Sequence, residues 1–154
     1  MVYSIISMII LVIISGVFAA AEIALVIVSD NKVNHDADLG NIRAIRIKKY
    51  TENPRSYMST MQMLIILIAL VNGAIALNTF SSRVSNWFDN SLSFIEPLVI
   101  VISALIVLVF HVVFGQMIPR ILANKFPNQI SYRIIGFISF ILKYKRDYFI
   151  VIST

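Results

Sequence analysis

The sequence predicts an all-α integral membrane protein with three transmembrane helices plus membrane-surface helices. Three observations carry that expectation. Of 154 residues, 58% are hydrophobic and only 14% charged, and the mean hydropathy is +0.85, more apolar surface than a soluble domain of this length can bury. Lipid must solvate the rest. Apolar runs at about residues 2–28, 57–80 and 97–118 each reach the ~20 residues needed to cross a ~30 Å hydrocarbon core. Lys and Arg are clustered, with six in Asp30–Ser56, one in Ser81–Phe94 and six after Pro119. By the positive-inside tendency this places the N-terminus outside, the Trp87 loop outside, and both basic stretches and the C-terminus in the cytoplasm.

The first run lacks the basic start and defined cleavage site of a signal peptide, and it continues past Ala19-Ala20-Ala21 through Glu22 into further apolar residues, so it reads as a permanent span. Gly16, Ala20 and Ala24 recur every four residues and form a seam that another helix can approach closely. Glu22 is the only carboxylate in the interior of a span, with Glu96 at the outer edge of the third. An ionisable group at that depth costs ~2.5–3.5 kcal/mol unless paired or hydrated. Two readings stand for it, a cation contact or a structural hydrogen bond to a helix N-terminus or hydroxyl.

Asp30–Ser56 is polar, and within it residues 41–50 set Ile42, Ile45 and Lys49 or Arg46 at helical spacing, as for a short amphipathic helix lying on the membrane surface. Asn53-Pro54 closes it. In the second span Ala69 and Gly73 form another small-residue seam, and Asn72 is a polar group suited to interhelical hydrogen bonding. Trp87 and Phe88 suit a membrane–water boundary. The third span ends in Phe114-Gly115-Gln116-Met117-Ile118-Pro119-Arg120. Pro119 has no N–H to return to the Gly115 carbonyl, so it is expected to kink or end the helix and leave that oxygen free. Gly115 permits close backbone approach, and Gln116 has two readings, a helix–helix hydrogen bond or a pathway contact through an amide oxygen without charge. His111, five residues before Gln116, has two readings, a proton or metal group or, as is commoner for a lone histidine in a bundle, a satisfied hydrogen-bonding residue. Residues 130–142 are apolar but short and contain Arg133, which favours an interfacial helix over a fourth span. The basic residues after Pro119 are expected to face anionic headgroups.

The chain has no cysteine, hence no disulfide or thiolate metal site. Two histidines, His35 and His111, and no phosphate loop, paired carboxylates or Ser-His-Asp set argue against an enzyme. Too little soluble chain remains for a nucleic-acid module.

Phe18-Ala19-Ala20-Ala21-Glu22-Ile23-Ala24-Leu25, then Glu52-Asn53-Pro54 with Tyr57-Met58-Ser59-Thr60-Met61-Gln62, then Gly115-Gln116-Met117-Ile118-Pro119-Arg120, resemble in order and spacing the transmembrane domain of the cyclin-M (CNNM)/CorC family, whose older names are haemolysin-like. The resemblance implies a homodimer in the cell membrane, linked to magnesium or divalent-cation transport or homeostasis. It implies Mg²⁺ as the bound ion, with no other cofactor. It also implies cytoplasmic cystathionine-β-synthase-type domains after residue 154, so that Thr154 closes either a piece of a longer protein or a short member. Where the family carries Phe-Ser-x-Ser-Glu this chain has Ala19 and Ala21, and where it carries Gly-Glu-x-x-Pro-Lys it has Gln116 and Arg120. Mg²⁺ prefers octahedral oxygen ligands including a carboxylate, so the inherited set reads as eroded to Glu22, Gln116 and the Gly115 carbonyl. The alternative is a non-transporting membrane anchor or regulatory module on the same scaffold.

Overall fold

In the computed structural model the backbone is described for residues 2–52, 54–84 and 96–152, without the side chains of Arg55, Ser56, Ser82, Val84, Glu96 and residues 140–152. Trp87 and Phe88 lie outside the described residues, as do the side chains of Lys143, Lys145 and Arg146. The chain is all-helical, with no strand among the described residues. Three helical stretches are long and apolar enough to cross a membrane: Val2–Ile27, Tyr57–Ser81 and Pro97–Lys125. The elements in order are α1 (Val2–Ile27), α2 (Asp30–Asp38), α3 (Ile42–Thr51), α4 (Pro54–Val84), α5 (Glu96–Val112), a π-helical turn (Val113–Met117), α6 (Ile118–Lys125) and α7 (Pro127–Ile152). Two hydroxyls inside the spans return to their own helix: Thr79 donates to the Ile75 carbonyl at 2.7 Å and Ser103 to that of Val99 at 2.8 Å. These two cost the membrane interior little, because each donor is satisfied locally.

The chain divides into two units. The first comprises residues 1–19 and 61–119. In it α4 buries Met61, Ile65, Asn72 and Ala76, a stripe at helical spacing, while Met63, Leu67, Leu70 and Val71 stay exposed as a lipid-facing surface requires. Gly115 sits against α1: a Cβ added there would lie 3.3 Å from the Val12 carbonyl oxygen and 3.5 Å from Ser15 Cβ. Reciprocally, a Cβ on Gly16 would meet Pro119 Cγ at 3.1 Å.

Of the two outcomes expected at Pro119, a kink or a helix end, the helix does not end there. The helical path continues through Pro119 into α6, and Ile118 donates its N–H to the Val113 carbonyl five residues back. Widening one turn to the π register lets a helix run past a proline without the clash that an α turn would impose.

The second unit comprises residues 20–60 and 120–154. Its core sets Ala20, Ala24 and Ala123 together, with Ile23, Ile130 and Ile134 packed around them. The buried Ser131 hydroxyl lies 2.9 Å from the Ala24 carbonyl and 2.6 Å from that of Pro127. Sequence reading assigns no element to Asp30–Asp38 beyond its polarity; in the structure it is helix α2, which includes His35. Ser29 precedes it, Asp30 opens its first turn, and it stops where Gly40 adopts φ +81° with its N–H on the Ala37 carbonyl, a C-terminal glycine stop. Helix α3 begins with Asn41, whose side chain accepts from the Arg43 N–H at 3.0 Å, an N-cap. Its Ala44 and Ile47 are buried, while Ile42 and Ile45 remain exposed. Arg46 Nη1 donates to Ser139 Oγ of α7 at 3.3 Å. The last helix is longer than the stretch 130–142 read from the sequence, starting at Pro127 and running to Ile152. Tyr132 on it donates to Asp36 at 2.6 Å, with Lys32 Nζ 6.0 Å from the ring centre. Burial, with the Asp36 carboxylate beside it, pushes the Tyr132 phenol up to about 12.

Candidate functional site

Glu22 lies five residues before the end of α1, after a run with no other charge. Its side chain is 7% exposed, and its Oε2 accepts from Arg120 Nη2 at 2.8 Å. Arg120 stands at the start of α6, where the helical path through the π turn and Pro119 delivers it, and its side chain is 39% exposed. The pair is thus asymmetric, with a carboxylate sealed in protein and a guanidinium that reaches toward its surface. Tyr57 of α4 is buried, its hydroxyl has no partner, and it lies within electrostatic reach of Glu22. Its ring leans on Tyr50, 5.6 Å away and tilted by 46°. The Arg120 Nε is also buried without a partner. Carboxylate, guanidinium and phenol form the polar centre of this unit.

Sequence reading does not pair Arg120 with Glu22; it groups Arg120 with the other basic residues after Pro119, expected at headgroups. The available signal was the lone acid itself: an intramembrane carboxylate calls for a counter-ion, and Arg120 is the basic residue that follows Pro119 directly. Among the described residues no group of three His, Cys, Asp or Glu side chains is placed to hold a metal ion. One carboxylate with an arginine on it is a poor match to the octahedral oxygen shell of Mg²⁺, but it is a good match to a cation that donates N–H bonds.

The remaining sequence-selected residues fall as follows. Gly16, Gly115 and Pro119 come together in the first unit, with Gln116 half-buried beside them in the π turn. Ala20 and Ala24 pack with Ala123 in the second. Asn72 is buried and its amide meets the Nδ1 of His111 at 2.8 Å. Ala69 is half-buried, and among the described residues no atom lies within 4 Å of where a Cβ on Gly73 would stand.

A family model, the cyclin M transmembrane N-terminal domain, matches residues 6–145. The chain belongs to the cyclin M transmembrane family. Among curated relatives it is 24% identical to a polyamine export protein of Haemophilus influenzae over 140 residues, covering 90% of this chain and 32% of that protein. It is 30% identical to the UPF0053 protein YugS of Bacillus subtilis over 124 residues, covering 78% of this chain and 29% of that one. It is 26% identical to a UPF0053 protein of Synechocystis over 125 residues, 79% of this chain and 28% of the relative. The cyclin M match covers nearly the whole chain, which spans about a third of the length of these relatives. It is a membrane domain of a transport-type family.

Proposed function

We propose that this chain is the membrane domain of a magnesium or divalent-cation transporter or homeostasis protein, in which Glu22 is the charge that a passing cation meets. The observation that carries the reading is the 2.8 Å pair of Glu22 with Arg120. A buried carboxylate in an apolar helix already holds a cationic group there, and that group is the more exposed partner and can withdraw toward water. An incoming cation replaces Arg120 without leaving the carboxylate bare, which avoids the large penalty of an unpaired buried charge. Gly115 and Gln116 supply neutral oxygens as candidate ligands within their own unit. The relative from Haemophilus influenzae is named for polyamine export, so organic polycations belong in the same test.

The proposed setting is a homodimer in the cell membrane, the N-terminus outside and the C-terminus cytoplasmic, with cystathionine-β-synthase-type domains following residue 154 in the complete protein. A second reading, a non-transporting anchor or regulatory module, is favoured by the same pair seen from the other side: Arg120 neutralises Glu22, and no acid or histidine cluster joins it among the described residues. Flux of Mg²⁺ and of spermidine into proteoliposomes separates the readings. Transport by the wild type that falls on the order of tenfold or more in Glu22→Gln, the loss of a charge-assisted contact, supports the first. No flux of either cation from folded wild type, with binding gained in Gln116→Glu, supports the second.

A further inference from the structure

Helix α3 carries two apolar faces. Ala44 and Ile47 are buried in its own unit, while Ile42 and Ile45 on the opposite side are 66% and 50% exposed. Lys49 follows those two isoleucines at helical spacing and shares their face. Arg43, Arg46, Lys48 and Lys49 give this ten-residue helix four positive charges, and it contains no acidic residue. Among the described residues none of the four pairs with a carboxylate, and Arg46 is held to Ser139 of α7. The helix also stands close to the bilayer. Two residues separate it from α4. Tyr57, the first residue of the second span, has its ring 5.6 Å from that of Tyr50 in the last turn of α3. Tyrosines at a span's end belong to the belt where a bilayer meets water. The exposed isoleucines and these cations therefore stand where headgroups lie.

We propose that α3 recognises anionic phospholipid: Ile42 and Ile45 enter the edge of the acyl layer, and Arg43, Lys48 and Lys49 hold headgroup phosphates. The charge selects the lipid. A zwitterionic leaflet covers the isoleucines but leaves the positive charges without a counter-charge, whereas an acidic leaflet satisfies both. An acidic protein would match the charge, but the bilayer already borders the helix and requires no second molecule to be captured and ordered. This lipid selection is independent of whether the chain carries a cation.

The chain has no cysteine, so a spin label on Ile45→Cys reports on α3 alone. The test places the full labelled chain in nanodiscs of phosphatidylcholine with or without phosphatidylglycerol. It measures access to the label by oxygen, which dissolves in lipid, and by neutral nickel ethylenediaminediacetate, which stays in water. With phosphatidylglycerol the label should be reached by oxygen and shielded from nickel. In phosphatidylcholine alone, or in ~1 M salt, nickel should reach it. The triple substitution Arg43→Gln/Lys48→Gln/Lys49→Gln should shift the balance toward the nickel-accessible state on the order of a hundredfold, the combined worth of three cations near an acidic surface. Should that variant fail to fold, the salt titration and the two lipid compositions still decide. Equal shielding in the two bilayers overturns the proposal, because apolar cover alone then suffices, and nickel access in both overturns it too. Shielding that survives the triple substitution has the same consequence. Shielding by inorganic phosphate without the acidic lipid, or shielding accompanied by dipolar coupling between the labels of two copies, assigns the face to another occupant and also overturns it.

Discussion

At the scale of single residues, the pairing of Glu22 with Arg120 decides most. Removing Arg120 leaves a carboxylate that is 7% exposed without its cation, so Arg120→Gln should destabilise the protein more than the double variant Glu22→Gln/Arg120→Gln, by about 1–3 kcal/mol, the cost of an unmet buried group. A double-mutant cycle in detergent unfolding checks it, and equal losses in the two variants would contradict the pairing. The glycines make a contrast that requires no ligand. Gly115→Ala pushes a methyl to within 3.3 Å of the Val12 carbonyl, a backbone atom that cannot rotate away, whereas Gly73→Ala meets nothing within 4 Å. The first should cost about 1–3 kcal/mol by overpacking, and the second should be neutral or stabilising through helix propensity, as unfolding midpoints would show. Tyr132 supplies the pH dependence. Its phenol is raised from 10.0 to about 12, so the neutral form is the one that folding favours. The stability it contributes is complete below pH 10 and is lost as pH rises through about 12. Tyr132→Phe should remove that alkaline component, read as the phenolate absorbance that vanishes from the top of the titration.

At the scale of elements, the π turn shows how a local conflict is absorbed. Pro119 cannot serve the Gly115 carbonyl, and the chain widens one turn instead of ending the helix. The ring of Pro119 then lies where a side chain on Gly16 would stand. This makes a coupling prediction: Gly16→Ala should destabilise by about 1–3 kcal/mol in the presence of Pro119 and be tolerated beside Pro119→Ala. Additive losses in a thermal-unfolding cycle would place the strain elsewhere. Helix α2 teaches a different lesson. Its residues Asp30–Asp38 carry little hydrophobic periodicity, so polarity alone suggests open chain, yet Ser29, Asp30 and the Leu39-Gly40 stop are helix boundary signals. Helix α3 displays a mixed face of Ile42, Ile45, Arg46 and Lys49, but the residues it buries are Ala44 and Ile47. The apolar stripe most visible in the sequence is therefore not the one that packs.

At the scale of the whole molecule, the proposed orientation is open to direct labelling, because a chain without cysteine gives every introduced thiol a unique address. Tyr3→Cys should react with an impermeant maleimide from outside intact cells, and Leu39→Cys only after permeabilisation; the reverse pattern would invert the topology. What the sequence determined by itself was the three spans, the all-helical class and the family. Each rests on properties that run along the chain, namely unbroken apolar length, the distribution of positive charge, and motifs at fixed intervals. Only the tertiary structure decided which polar residues meet. Glu22 and Arg120 are separated by 98 positions, Asn72 and His111 by 39, and Asp36 and Tyr132 by 96. No periodicity in a sequence encodes a partner that far away. A lone charge or amide inside lipid announces that it needs a partner, and the packing of the helices chooses which.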